Sequence, residues 1–83
     1  MLKVEWIKDA IEDLQNLDKP IAKRILNKIS WLSRHFDNIT PETLAGELVG
    51  TYKLRVGDWR VVYTMESDVI VIQAVGHRKE IYL

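Results

Sequence analysis

Thr51-Tyr52-Lys53-Leu54-Arg55-Val56-Gly57-Asp58-Trp59-Arg60-Val61-Val62-Tyr63-Thr64-Met65 is the stretch that decides the fold. Two runs rich in β-branched and aromatic residues flank a Gly-Asp pair, the pattern of a β-hairpin with a two-residue loop. A type II′ loop needs positive φ at its first position, which glycine supplies without steric cost. That loop sets the pairing of the two strands. Val56 faces Trp59, Leu54 faces Val61 and Tyr52 faces Tyr63, so one face is wholly apolar or aromatic. On the other face Arg55 falls opposite Arg60, Lys53 opposite Val62 and Thr51 opposite Thr64. Like charges directly opposite each other destabilise a sheet by roughly a few tenths of a kcal/mol. A local rule broken inside an otherwise consistent segment is where function is expected. Two guanidiniums and an ammonium on one face make a site for an anion, and arginine's planar fork favours phosphate or carboxylate. The competing reading is ordinary protection of a solvated strand, with Glu47, Asp58 or Glu66 as counter-charges. A three-residue turn would shift the register and disperse the cluster.

Working outward, residues 69–75 (Val-Ile-Val-Ile-Gln-Ala-Val) form a third, nearly all-apolar strand after Glu66-Ser67-Asp68. Short loops make sequential strands antiparallel, so residues 51–75 read as a meander with the third strand in the interior of the sheet. Residues 2–7 alternate apolar and charged, the period of a half-buried strand. From Lys8 the period changes: Ile7, Ile11, Leu14 and Leu17 recur at helical spacing. Asp18-Lys19-Pro20 interrupts, and Pro20 suits the first turn of a second helix. That helix runs from 20 to about 36 on the stripe Ile21, Ile25, Ile29, Leu32 and Phe36. Residues 37–50 read as loop with at most a turn of helix. His77 to Tyr82 reads as extended or coil, a candidate further edge strand. The expected fold is α+β in the order βααβββ with one more short strand. It is an antiparallel sheet with a helical hairpin packed on one face, one domain over 1–83.

Composition narrows the function classes. The chain has 83 residues, 47% hydrophobic and 29% charged, with 12 Lys/Arg against 12 Asp/Glu. Net charge zero excludes a protein that simply coats a polyanion; it leaves a local basic site open. No cysteine is present, so disulfides, thiolate metal sites and thiol nucleophiles are excluded, and an intracellular, cytoplasmic location is expected. No apolar run reaches the ~18 residues of a membrane span, and Met1–Glu5 does not read as a signal peptide.

The segment Gly76-His77-Arg78-Lys79-Glu80-Ile81-Tyr82 adds polar groups where the third meander strand ends. His77 is the one side chain there with an ordinary pKa near neutrality, and a lone histidine is more often a bystander than a catalyst. Tyr82 is a site candidate or, between Ile81 and Leu83, a core anchor. Trp6 and Trp31 are either core residues or part of a partner-binding surface.

Leu44-Ala-Gly-Glu-Leu48, Gly50 through Tyr63 and Val75 through Tyr82 together resemble the RelE/ParE superfamily of toxin–antitoxin toxins, the RelE branch most closely. The likeness extends over the whole chain. It implies a ribosome-dependent endoribonuclease that cleaves mRNA in the A site, inhibits translation and is restrained by a cognate antitoxin. Residue by residue, it implies that Arg60 contacts the scissile phosphate, Arg78 stabilises charge near the leaving group, and Tyr82 acts in base chemistry or stacking. It also implies that Lys53 and Arg55 hold RNA, with His77 and Lys79 beside them, and that no metal or cofactor is needed. The nucleophile would be the RNA's own 2′-hydroxyl. Arg55 stands where relatives carry a second lysine; it stays protonated and is a poor general acid. The alternatives are a ParE-like toxin that inhibits DNA gyrase without cutting RNA and an inactive antitoxin-binding relative. The co-occurrence of Lys53, Arg55, Arg60, Arg78 and Tyr82 favours the ribonuclease.

Overall fold

A computed structural model describes residues 1–44 and 50–81. In chain order the elements are β1 (Lys3–Trp6), α1 (Lys8–Gln15), α2 (Lys19–His35), a 3-10 turn (Phe36–Asn38), β2 (Glu42–Thr43), β3 (Thr51–Val56), β4 (Trp59–Glu66) and β5 (Val69–His77). The architecture is α+β. Leu44 to Leu48 as a motif, Glu47 and Tyr82 fall wholly or partly outside the described residues.

The hairpin register is the one the Gly-Asp loop dictates: Val56 pairs with Trp59, Arg55 with Arg60, Leu54 with Val61 and Tyr52 with Tyr63. Of the two loop residues only Gly57 has positive φ, at +59°. Glycine is favoured here for its backbone conformation; a Cβ would also lie 2.8 Å from the tip of the exposed Arg24 side chain, which can swing aside.

Leu54, Val56, Val61, Tyr63, Ile70, Ile72 and Val75 project from the sheet into one core with Ala10, Ile25, Ile29 and Leu32 of the helices. The α2 stripe is buried as its spacing predicts. The α1 stripe is buried only in its second half: Leu14 and Leu17 pack on the core, but Ile7 is 36% and Ile11 42% exposed, and Ala10 is buried in their place. Ile7 is the residue that caps α1, and its backbone N–H donates to the Ile72 carbonyl. It therefore belongs to the end of β1 and does not share the helical phase.

Three features differ from the sequence expectation. The strand order is β1-β5-β4-β3-β2, and β1 runs parallel to β5. The sheet is therefore mixed. Short loops govern only the strands they join, and β1 is separated from the meander by the helical hairpin, so nothing local sets its direction. The extra short strand is β2, which pairs antiparallel with β3 through Glu42–Lys53 and Thr43–Tyr52. Two residues carry no readable period. The segment after His77 is not an edge strand among residues 78–81. It turns back, with the Glu80 and Ile81 N–H groups both donating to the His77 carbonyl. Its cause is packing: the Ile81 side chain lies against Gly76, 3.3 Å from where a Cβ would stand.

A bulge sets the face of the last part of β5. Val62 pairs with Ala74 and Tyr63 with Ile72, so Gln73 has no residue opposite it. The extra residue turns Val75 inward, where strict alternation from Ile70 and Ile72 would have placed Ala74. Asp13 of α1 secures the bulge by accepting a hydrogen bond from the Val75 N–H at 3.0 Å. Asp13→Ala leaves that partly buried donor unpaired. We expect a loss of about 1–3 kcal/mol, roughly 5–15 °C in Tm by thermal circular dichroism. Asp13→Asn, which keeps an acceptor, should restore most of it.

Candidate functional site

The outer face of β3 and β4, away from the helices, carries the cations that the hairpin brings together. Arg60 is only 9% exposed. Its Nη1 donates to the carbonyls of Gly57 at 2.7 Å and Trp59 at 2.8 Å, which holds the guanidinium against the hairpin turn. Its buried Nε has no hydrogen-bond partner among the described residues. A buried charged donor left unpaired costs free energy, so Arg60 is a clamped cation with unused donors. Arg78 docks on the same turn. Its backbone N–H donates to the Asp58 carbonyl at 2.8 Å, and its Nε lies 3.8 Å from the Asp58 carboxylate. Both Arg78 and Asp58 side chains are largely exposed, so that ion pair is weak.

The opposed arginines avoid each other because each is bonded elsewhere. Arg55 forks onto Glu42, with Nε donating at 3.0 Å and Nη2 at 2.8 Å. Lys53 points the same way, its Nζ 4.0 Å from Glu42 and its side chain only 10% exposed. Glu42 is therefore the counter-charge of the cation face. Of the three acids expected in that role, Asp58 pairs with Arg78, Glu66 makes no ion pair among the described residues, and Glu47 lies outside them. Sequence gave no signal for Glu42, because β2 is too short to register as a strand. The Arg55 hydrogen bonds hold the Glu42 carboxyl below its ordinary range against a desolvation cost, helped by the charges of Arg55, Lys53 and Arg60.

His77 is not on this face. It pairs with Trp59, whose ring it meets edge-on at 5.3 Å and 84°. Its Nδ1 accepts from the Lys79 N–H at 3.2 Å, which assigns the proton of the neutral ring to Nε2. The Lys79 side chain is exposed and unpaired among the described residues. The chain leading to Tyr82 lies over Gly76, the partner of Arg60 across β4 and β5. Tyr63, stacked on Tyr52 at 5.5 Å, is buried, and burial pushes its phenol up to about 12; it is core and no base. Among the described residues no cluster of three or more His, Asp or Glu side chains is placed to hold a metal ion.

The sequence profile of the ParE toxin of the type II toxin–antitoxin system parDE matches residues 4–82. The chain belongs to this toxin family. No curated protein sequence matches it. Solved structures of the wider RelE/ParE superfamily do. The RelBE2 toxin–antitoxin complex of Mycobacterium tuberculosis matches with TM-score 0.80 and 29% identity, over 93% of this chain and 98% of that one. The YoeB dimer of Staphylococcus aureus matches with TM-score 0.74 and 28% identity, over 92% and 95%. The isolated RelE toxin of E. coli shares the fold at TM-score 0.77 and 17% identity, over 93% and 84%. The two likenesses above 25% identity are to RelE-like toxins and support the RelE-like branch of the superfamily.

The toxin's cation face thus has a fixed half and an adaptable half. Arg60 is locked to the turn by backbone, while Arg55 and Lys53 are held by one carboxylate that another anion can replace. The Arg55 fork already grips two oxygens in the geometry it would use on a phosphate. Glu42→Gln tests the electrostatics. A carboxylate whose folded pKa is depressed stabilises above its unfolded pKa, and that contribution vanishes as pH falls through the folded pKa. Wild type should exceed Glu42→Gln in urea unfolding at pH 7 by under ~1 kcal/mol, discounted for exposure. The difference should shrink as pH falls below the ordinary carboxylate range, because the folded-state pKa is lowered.

Proposed function

We propose that this toxin is a ribosome-dependent endoribonuclease that cleaves mRNA in the A site and thereby inhibits translation. The observation that carries the reading is Arg60: a nearly buried guanidinium, clamped by two carbonyls, with a donor left unpaired on a face shared with Lys53 and Arg55. Stability alone would not select that arrangement.

The chemistry follows from the groups present. The RNA 2′-hydroxyl attacks the adjacent phosphorus, the bond to the 5′ oxygen breaks, and that oxygen takes up a proton from Lys79 or from a ribosomal group, leaving a cyclic phosphate and a 5′-hydroxyl. Negative charge grows on the phosphoryl oxygens, where the free donors of Arg60 and the exposed guanidinium of Arg78 stabilise it. Lys53 and Arg55 hold the flanking backbone once RNA displaces Glu42. The 2′-hydroxyl proton needs an acceptor. Tyr82 is the acceptor the family resemblance implies, and the ionised Glu42 carboxylate is the acceptor present on the face itself. Lys79 is otherwise a backbone contact at the rim, and His77, on the Trp59 side, is left without a direct part. Attack by the substrate's own hydroxyl requires no protein nucleophile.

The partners of this reading are the ribosome, its mRNA and a cognate antitoxin, and the site of action is the cytoplasm. The matching structures include RelBE2 of M. tuberculosis, RelB–RelE of Methanococcus jannaschii and YoeB–YefM of S. aureus, each a toxin–antitoxin complex. Edge strand β1 and α2 frame an apolar groove of about 560 Å³ lined by Met1, Leu2, Val4, Trp6, Leu26 and Ile29. That groove is the surface we assign to the antitoxin. No helix among the described residues is long and apolar enough to cross a membrane.

Primer extension on ribosome-bound mRNA tests the activity. Wild type should produce new stops within codons, and Arg60→Lys or Arg78→Ala should reduce their rate by about 10²–10³ while the melting temperature and antitoxin binding persist. Tyr82→Phe and Glu42→Gln separate the two proton acceptors: the one that is used loses rate, the other does not. Intact message together with stalled DNA supercoiling would replace this reading by gyrase inhibition, the activity of the ParE-like alternative. Intact message with normal supercoiling and retained antitoxin binding would leave an inactive relative.

A further inference from the structure

Helix α2 has a charge pattern that the proposed reaction does not use. Its 17 residues contain Lys19, Lys23, Arg24, Lys28 and Arg34 and no acid. Helix α1 is acidic, with Asp9, Glu12 and Asp13 against Lys8. Two features show that the α2 charges do not serve the helix. Arg24 and Lys28 are one turn apart, and like charges at that spacing are destabilising. Lys19 and Lys23 sit near the N-terminus, where the helix dipole disfavours cations. Among the described residues neither Arg24 nor Lys28 has an ion-pair partner.

Tertiary structure gathers these groups. Arg24, Asn27, Lys28 and Trp31 form one wall of an open cleft of about 440 Å³, and Arg55, Val56 and Gly57 form the other. The Lys28 ammonium is parked 3.9 Å above the Trp31 ring. The Arg24 guanidinium lies over Gly57, 2.8 Å from where a Cβ would stand. It thus approaches from the helix side the same turn that grips Arg60 and Arg78 from the sheet side. Arg55 belongs to both the cleft and the cation face.

We propose that this cleft is a second phosphate subsite, in which Arg24 and Lys28 grip the RNA backbone beside the phosphate held at Arg60. The proposal rests on RNA being the ligand of the Arg60 face. Continuity through Arg55 is what favours an RNA strand over an acidic protein segment: a backbone bound at Arg60 and Arg55 runs directly into the cleft.

The test uses the full chain and a single-stranded 2′-O-methyl oligoribonucleotide, which binds but cannot be cut, read by fluorescence anisotropy across a salt series. Arg24→Gln/Lys28→Gln should weaken binding on the order of tenfold at 0.1 M salt and lower the salt slope by about 1.4, the value for two lost contacts to a single strand. Arg24→Lys/Lys28→Arg should retain both affinity and slope. The double Gln variant relieves a like-charge pair and loses the Lys28–Trp31 contact, two small opposing effects, so it should stay folded with a melting temperature within a few degrees of wild type. An unchanged slope, no binding by wild type, or a loss confined to antitoxin binding would each overturn the proposal. Binding with the expected slope but no cleavage on the ribosome would overturn the ribonuclease reading and leave the subsite standing.

Discussion

Everything that matters on this surface is anchored to the two-residue turn Gly57-Asp58. Its glycine takes the positive φ that a tight loop requires, and this alone decides which residue of β3 faces which residue of β4. A slip of one residue would exchange the two faces, burying charge and exposing Leu54, Val61 and Tyr63. The turn also works through its carbonyls and its missing side chain. Arg60 hangs from the Gly57 oxygen, Arg78 docks on the Asp58 oxygen, and Arg24 lies where a side chain at Gly57 would be. The turn therefore clamps the Arg60 guanidinium, the preorganisation that charge stabilisation needs, and anchors the Arg78 backbone beside it, with the exposed Arg24 side chain on the other side.

The remainder of the fold supports that feature. The apolar face beneath it is filled by α2 along a stripe of helical period, and the bulge at Gln73 turns Val75 to complete the core. Asp13 ties α1 to the bulge. The chain returns so that Ile81 lies against Gly76, and the Arg78 N–H bonds the Asp58 carbonyl, which keeps Arg78 beside the turn.

Net charge shows how an average can mislead. Twelve positive and twelve negative residues cancel in the sum. In space they separate: the cations concentrate on α2 and the outer face of the hairpin, and the acids are spread elsewhere, three of them on α1. Coulomb interactions are screened beyond about a Debye length of 8–10 Å, so a bound anion senses the local face and not the total. Glu42 refines this further. Placed among Lys53 and Arg55, it neutralises part of that half of the face.

By itself the sequence determined everything that depends on near neighbours along the chain. The hairpin register, the cation face with Arg55 against Arg60, the α2 stripe and the antiparallel meander are all consequences of turn chemistry and of periods 2 and 3.6, which are local properties. Tertiary structure decided what depends on residues far apart in sequence. The parallel pairing of β1 with β5, the two-residue strand that delivers Glu42 to Arg55, and the turn that replaces a final strand have no periodic signature. The placement of His77 on the Trp59 side and the meeting of Arg24 with the hairpin turn are likewise set by packing. Each arises because a side chain or a strand edge finds its partner only after the core has closed, and no local rule encodes which partner that is.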